Sequence, residues 1–285
     1  MKKFEKKVRV VGISLLIILL CGLPILFLIG GSLKGNDELS YLLAPILASS
    51  NNEMHWTIFP QFPTLRHYLG VMFDMPEFWV LFWNSVKIVG MVLIGQACVS
   101  IPAAWGLAKY KFRGNRLIFR VYILLMLLPF QAKMLSEYLV LDKLKLINTQ
   151  WSVILPGIFS TFPVFVIYQF FRGIPQEILE SARLDGASEW SVFLKIGIPI
   201  AKNGIVAAAI LSFIEYWNMI EQPLIFIKNK QIWPLSMYMP EISKTQIGSS
   251  FAKIVVTTLP LFILFLLGQE QMQQGIDIMV HKEKE

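Results

Sequence analysis

From Val10 to Leu33 the chain runs for 24 residues without an Asp, Glu, Lys or Arg. A bilayer hydrocarbon core about 30 Å thick needs about 20 apolar residues in a helix to cross it. A soluble domain spreads its apolar residues at core spacing, and similar long apolar blocks recur further along this chain. Charged residues make up only 16% of the sequence, against about 25% in soluble domains. That deficit excludes a cytosolic globular enzyme and points to an all-α integral membrane protein.

The first block is preceded by Lys2, Lys3, Lys6, Lys7 and Arg9, the charge pattern of a secretory signal. It is longer than the 7–15 apolar residues of a signal core, however, and no small-residue cleavage site closes it. It therefore reads as a first membrane helix over 10–33 with residues 1–9 in the cytoplasm, kinked at Pro24. Residues 34–84, with Pro45, Pro60, Pro63 and Pro76, read as a long extracytoplasmic segment with room for short helices. Further spans are expected at 85–108, 117–136, 151–171, 204–227 and 251–269. These belong to a core over 85–272, interrupted by a polar loop at 173–203 and followed by a cytoplasmic tail at 273–285. Six spans put both termini in the cytoplasm. Sixteen of the 26 Lys and Arg residues then fall inside, including the run Lys109, Lys111, Arg113, Arg116 and Arg120, as positive-inside bias requires. The formal charge of +7 is thereby accounted for without nucleic acid. Trp56, Trp79, Trp83 and Trp151 read as interfacial belts. Cys21 and Cys98 lie in apolar blocks and read as small buried residues rather than a disulfide. His55, His67 and His281 have no ligand-like spacing, so no metal site is expected.

The segment from Ile174 to Pro199 is too polar to span and too patterned to be a slack connection. Pro175 suits the first turn of a helix. Gly186 suits the left-handed position that ends one. Ser188 is a good N-cap for a second helix, on which Trp190, Phe193 and Leu194 would share one apolar face. Pro199 limits that helix. The expected unit is a helix, a glycine turn and a second helix along the cytoplasmic surface. Its apolar face either rests on the lipid interface or docks on another protein.

Glu180-Ser181-Ala182, then Gly186 after three residues, then Ile196-Gly197-Ile198-Pro199 after nine more, resembles the "EAA" motif of ATP-binding-cassette (ABC) importer permeases. The stretch Glu180 to Ser188 is similar to the form found in binding-protein-dependent sugar permeases. Ser181 and Ile198 depart from the pattern but keep size or apolarity. Trp217-Asn218 with Pro223-Leu224, then Pro234-Leu235, and Gln269 with Gln274-Gly275, resemble further segments of that family. The closest type is the second permease subunit of maltose-type importers, over about residues 75–285. The ending His281-Lys282-Glu283-Lys284-Glu285 departs from the family's usual tail.

The resemblance implies a type I ABC importer permease fold in a bacterial or archaeal cytoplasmic membrane. It implies that the loop docks in a cleft of a cytoplasmic ATPase dimer. Glu180, Ala182, Arg183, Asp185, Gly186, Trp190, Phe193 and Pro199 would then serve ATPase coupling. The remaining partners would be a homologous second permease, an extracytoplasmic substrate-binding protein and a sugar. The chain has no G-x-x-x-x-G-K-[ST] phosphate loop, so ATP and Mg are expected on the ATPase, with no cofactor or catalytic residue here. Intramembrane charges are functional candidates. Glu215 and Glu221, about 240° apart round a continuous helix, are candidates for the translocation path, together with Trp217 and Asn218. Tyr216 and Trp217 suit either sugar stacking or helix packing. Trp233, Tyr238 and Met239 lie in the loop that would face the binding protein. Peptide or amino-acid importers share the general motif. A self-sufficient secondary transporter would require inverted repeats and interrupted helices in matching positions, which the sequence does not display. A membrane scaffold without a transport role is the remaining alternative.

Overall fold

The computed structural model describes residues 2–47, 57–238 and 247–281, and every regular element among them is helical. The chain divides into two compact units, one of residues 1–79 and 239–260, the other of residues 80–238 and 261–285.

The first unit holds α1 (Lys2–Ser32), α2 (Asn36–Leu47), α3 (Arg66–Phe73) and the first turn of α4 (Pro76–Lys109). It also takes the start of α14 (Ile247–His281). Along α1 every residue from Leu15 to Leu20 is more than half exposed. A helix that is apolar all round and buries no face of its own belongs in lipid or against another chain. Just past its end, Lys34 is fully buried. Its ammonium donates to the Thr57 carbonyl and, at 3.0 Å, to the Thr57 hydroxyl, with the Glu38 carboxylate at 3.8 Å. The Leu33 carbonyl accepts from the Thr64 amide at 2.8 Å. Ser32 Oγ and Tyr68 Oη lie 2.6 Å apart, and His67 Nε2 sits 2.9 Å from the Lys34 carbonyl. The segment read as a long loop with short helices does hold α2 and α3, and part of it folds back onto the end of α1. Here α4 starts at Pro76 rather than Ser85, because Pro76 fits a first turn that lacks N–H partners and Glu77 suits the positive end of the helix.

The second unit contains the remainder of α4, then α5 (Asn115–Leu127), α6 (Phe130–Lys143), α7 (Trp151–Ile158) and α8 (Thr161–Arg172). The span expected over 117–136 is not one helix. It turns by 103° between α5 and α6. Leu128 is extended at φ −71, ψ 121 because it precedes Pro129, and Pro129 cannot continue the hydrogen-bond ladder. Helices α7 and α8 together form one candidate span, Trp151–Arg172.

Next come α9 (Gln176–Leu184), α10 (Glu189–Val192), a π turn over Phe193–Gly197 and α11 (Ile198–Ile200). The chain bends by 69° at Ala201 into α12 (Lys202–Trp217). Pro199 cannot donate to the carbonyl four residues back, and widened turns of this kind occur where a helix is interrupted. The span expected to reach Ile227 stops at Trp217, and a short α13 (Glu221–Phe226) follows. Single 3₁₀ turns occupy Lys230–Ile232 and Leu235–Met237. Helix α14 continues past Gln269 to His281. Four described helical spans are long and apolar enough to cross a membrane, and the two bent pairs bring the number to six. Cys21 and Cys98 are free and exposed on α1 and α4 rather than buried, since both lie on faces that the chain's own core does not cover. His55, Trp56, Met239 and the last four residues lie outside the described residues.

The core of the second unit joins α4, α8, α9, α10 and α12, with Ala104, Val164, Val166, Phe171, Leu179, Val192 and Ala208 almost fully buried. Helices α8 and α12 approach closely where Gly204 faces the Phe170 ring; a Cβ there would overlap the ring. Overpacking of this kind costs about 1–3 kcal/mol. The variant Gly204→Val should therefore lower the thermal midpoint of the purified chain in detergent. Gly90→Ala, which meets open space, should leave the midpoint unchanged, and equal melting of the two would show that α8 and α12 do not pack in this way.

Candidate functional site

The loop after α8 is built around its glycine turn. Gly186 has φ +82, a left-handed conformation that favours glycine. The Ala187 amide donates to the Ala182 carbonyl at 3.1 Å, and the Gly186 amide donates to the Arg183 carbonyl at 3.0 Å. This paired arrangement is the Schellman closure, which satisfies carbonyls that a helix end would otherwise leave open. It gives Ala182 a physical role, because its carbonyl receives the longer bond and its small, partly buried side chain packs against the core. Ser181 Oγ donates to the Ile178 carbonyl at 3.1 Å. Ser188 caps α10, accepting from the Ser191 amide at 3.2 Å. Pro175 stands one residue ahead of α9, at φ −58, ψ 138.

Trp190 and Phe193 share a face as their spacing implies, with ring centroids 5.3 Å apart, but they differ in depth. Phe193 is buried, with ring centroids 5.5 Å from Trp105 and 6.4 Å from Phe171. Gly197 lies so close to Trp105 that a Cβ would strike the indole. Trp190 is 65% exposed, and Leu184 on the turn is 88% exposed. With Ile178 and Leu194, also exposed, they form an apolar set that this chain leaves open. Glu180, Asp185 and Pro199 are exposed as well.

Arg183 spans the turn. Its Nε donates to Glu189 Oε1 at 2.6 Å and a terminal nitrogen donates to Oε2 at 3.1 Å. Tyr110, just beyond α4, donates its hydroxyl to the same Oε2 at 2.9 Å. The guanidinium first, and the phenol second, hold the Glu189 carboxyl below its usual range, while the carboxylate raises Arg183. Burial first, and then the bond to Glu189, push the Tyr110 phenol up. Lys109 Nζ donates to the Ile174 carbonyl at 2.7 Å. Sequence reading missed Lys109, Tyr110, Leu184 and Glu189. The bonds from Lys109 and Tyr110 join residues far apart in the chain and leave no local pattern.

A second feature of this unit is a cavity of about 620 Å³ lined by residues of α5, α6, α7, α8, α12 and α13. Glu215 lines it, together with Lys133, Glu137, Ser160, Tyr216 and Gln222. Lys133 and Glu137 are paired at 3.3 Å. The other residues read as path candidates have different surroundings. Trp217 is buried between Phe82, at 5.7 Å edge-on, and Phe213, stacked at 5.3 Å. Asn218 closes α12, donating to the Ile214 carbonyl at 2.9 Å. Glu221, in the first turn of α13, accepts from Gln131 Nε2 at 2.8 Å. The break at residues 218–220 removes the continuous helix on which Glu215 and Glu221 were compared.

The loop from 228 to 238 is held by named bonds. Trp233 Nε1 donates to the Ile227 carbonyl at 2.9 Å, and the Lys230 ammonium lies 5.7 Å from the indole centroid. Asn84 Nδ2 donates to the carbonyls of Gln231 and Trp233, and the Leu235 amide donates to Ser85 Oγ at 2.7 Å. Tyr238 is partly exposed and closes the last turn, its amide donating to the Leu235 carbonyl at 2.8 Å.

Comparison with known proteins agrees with this architecture. The arabinooligosaccharides transport system permease protein AraQ of Halalkalibacterium halodurans is 29% identical over 223 residues, covering 77% of this chain and 80% of that protein. The diacetylchitobiose uptake system permease protein NgcG of Streptomyces coelicolor is 28% identical over 245 residues, covering 78% and 81%. The fold is similar to a solved chain of a bacterial ABC transporter involved in the import of the acidic polysaccharide alginate. The TM-score is 0.77 at 19% identity, over 94% of this chain and 96% of that one. Residues 99–277 match the family of binding-protein-dependent transport system inner membrane components, a region that includes the glycine-turned loop and the whole cavity wall, and the chain belongs to that family.

Proposed function

We propose that the chain is a non-catalytic permease subunit of an ABC importer, forming half of the path for a sugar or oligosaccharide delivered by a substrate-binding protein. The relatives named for arabinooligosaccharides and diacetylchitobiose support the solute class. The observation that carries the coupling role is the open apolar set of Leu184, Trp190, Ile178 and Leu194 on a firmly capped turn. A surface of this kind, held rigid by hydrogen bonds, suits insertion into a cleft of a partner. The partner is a separate ATPase dimer that carries ATP and Mg, on the cytoplasmic side with both termini of this chain. A homologous second permease completes the path.

In this reading Gly186 sets the turn, and Arg183 braces it through Glu189. Leu184 and Trp190 supply the exposed contact. Phe193 acts from inside by fixing α10 to Trp105. Glu180 and Asp185 lie on the exposed surface and supply polar contact. ATP-driven closure of the ATPase and a loaded binding protein together bias a two-state path between outward and inward opening. Co-purification of the chain with an ATPase and a second permease, and ATP-dependent uptake by the reconstituted set, test the assignment. Uptake by this chain alone would refute it.

Two consequences follow for the loop. No atom lies within 4 Å of a Cβ built on Gly186, so substitution there acts through backbone conformation rather than bulk. A left-handed residue costs an alanine about 1–2 kcal/mol, a β-branched residue more, and an asparagine less. Uptake by the reconstituted importer should fall in the order Gly, Asn, Ala, Val at position 186 while membrane insertion is unchanged, with Gly186→Val inactive. Full activity in Gly186→Val would remove the turn from the coupling path.

Because the Glu189 carboxyl is held below its unfolded value, the stabilisation from its contact with Arg183 is fully present above that unfolded value. It is lost as the pH falls through the folded one. Both partners are partly exposed, so the contact is worth at most about 1 kcal/mol. Hydrogen exchange of amides 187–192, corrected for intrinsic rates, should be constant from about pH 8 to 6 and quicken only in acid, below the ordinary carboxylate range. Quickening between pH 8 and 6 would mean that another group carries the brace.

A further inference from the structure

We propose that the turn joining α4 to α5, with the face of α5 that follows it, binds an anionic phospholipid, the phosphate against Arg116 and Arg120 and an acyl chain along Leu124 and Leu127. The site concerns a lipid ligand and does not depend on which solute is carried.

The turn is a built structure. Asn115 Nδ2 donates to the carbonyls of Leu107 at 3.0 Å and Tyr110 at 2.7 Å. The Asn115 amide donates to the Phe112 carbonyl at 3.2 Å, and Gly114 takes φ +91. These bonds fix where α5 begins. No side chain caps α5, and the open amides of an uncapped first turn favour an anion. The candidate span Pro76–Lys109 ends just before the turn, and the bent pair of α5 and α6 starts just after it. The turn therefore stands at a bilayer face whichever way the chain is oriented.

At 100° per residue, Arg116, Leu127, Arg120 and Leu124 fall within an arc of about 80° round α5. Both arginines are exposed, and the chain leaves Leu124 63% and Leu127 69% uncovered. Phe119 and Tyr122, on the other side of α5, pack against the core instead. One stripe thus changes from guanidinium to leucine along its length, over about 10 Å from Arg120 to Leu127 at 1.5 Å per residue. A phospholipid presents its groups in that order from the membrane surface inward. Positive-inside bias accounts for cations at a membrane face, but not for their alignment with leucines.

Charge selects the headgroup. From Phe78 to Ser136 the sequence has no Asp or Glu. Among the described residues, Lys111, Arg113, Arg116 and Arg120 have no ion-pair partner. The Glu189 carboxylate that Tyr110 reaches is already paired with Arg183. Arg116 and Arg120 stand one helical turn apart, so both can reach one phosphate, whose oxygens match guanidinium donors. Basic clusters beside membrane helices attract anionic lipids. A protein covering this stripe would have to supply carboxylates for two buried guanidinium groups. A lipid satisfies the cationic and the apolar halves together.

The test titrates the purified chain, in uncharged detergent, with dioleoyl phosphatidylglycerol or dioleoyl phosphatidylcholine and counts bound lipid by native mass spectrometry. Phosphatidylglycerol should bind in preference. A basic side chain at a membrane surface contributes about fivefold to anionic-lipid affinity, so the double variant Arg116→Gln, Arg120→Gln should weaken phosphatidylglycerol about 25-fold. Both side chains are exposed and glutamine is a comparable helix former, so the thermal midpoint should not move. Lys143→Gln with Lys145→Gln removes the same charge from exposed positions elsewhere and should leave binding unchanged. Glycerophosphoglycerol, the same headgroup without acyl chains, should not compete at equal concentration. Equal binding of the two lipids, equal losses in the two double variants, or competition by the soluble headgroup would each overturn the site. A second measurement needs no variant. Phosphatidylglycerol with a photoreactive acyl chain, in nanodiscs holding the complete importer, should crosslink to residues 121–128. Crosslinking to the chain alone that vanishes beside the companion permease would make the stripe a subunit contact and overturn the site, and none of these results bears on the import reading.

Discussion

Backbone amides and carbonyls inside a bilayer have no water to bond to, so each must be satisfied by the chain or face a space that is not lipid. That requirement governs where this protein is allowed to break its helices. The interruptions at Leu128–Pro129, Phe159–Ser160 and residues 218–220 fall in a single unit, and residues beside all three line the same cavity. The bend at Ala201 lies beside the polar loop instead. Proline supplies the break at Pro129 by removing a donor and forcing an extended predecessor. Asn218 shows the complementary device, returning its own side chain to the Ile214 carbonyl where α12 ends.

The polar loop is held from both sides of its turn. Backbone bonds from Gly186 and Ala187 close α9. Arg183 and Glu189 link the arms, and Tyr110 joins that pair from beyond α4. Beneath them the rings of Trp105, Phe171 and Phe193 pack edge-on and tilted, with Gly197 pressed against the indole. The charged contacts are individually weak because they are partly exposed. The buried aromatic group supplies the stronger anchoring, and the polar groups fix orientation. Leu184 and Trp190 stay largely exposed at the edge of this group, with the Trp190 ring 5.3 Å from that of Phe193.

Much of the architecture was legible in the sequence because the spans are long and uncharged. The turn at Gly186 was legible too, since glycine in the left-handed position, a serine cap and a following proline are local signals. The motif spacing from Ala182 to Gly186 corresponds to the two carbonyl closures that end α9. What the sequence did not reveal depends on distant residues. The Tyr110–Glu189 bond joins positions 79 residues apart, and no periodicity announces it. Trp190 and Phe193 do share a face, with rings 5.3 Å apart, but Phe193 is buried against Trp105 while Trp190 stays largely exposed, a difference in depth that spacing alone does not give. Trp217 read as a possible sugar platform because it is aromatic, but Phe82 and Phe213 occupy its faces. The stretch 117–136 read as one span with Arg120 and Lys133 near its ends; Pro129 was the signal against it.

The bond from Lys109 to the Ile174 carbonyl has a consequence for how the loop loosens. A loop joined to its protein only at its two ends frays residue by residue, at little free-energy expense. This one is also pinned at its entrance by the terminal lysine of another long helix. Its amides therefore open together with the end of α4, as one cooperative block, and the segment behaves as a terminal storey of the helical stack rather than as a tether.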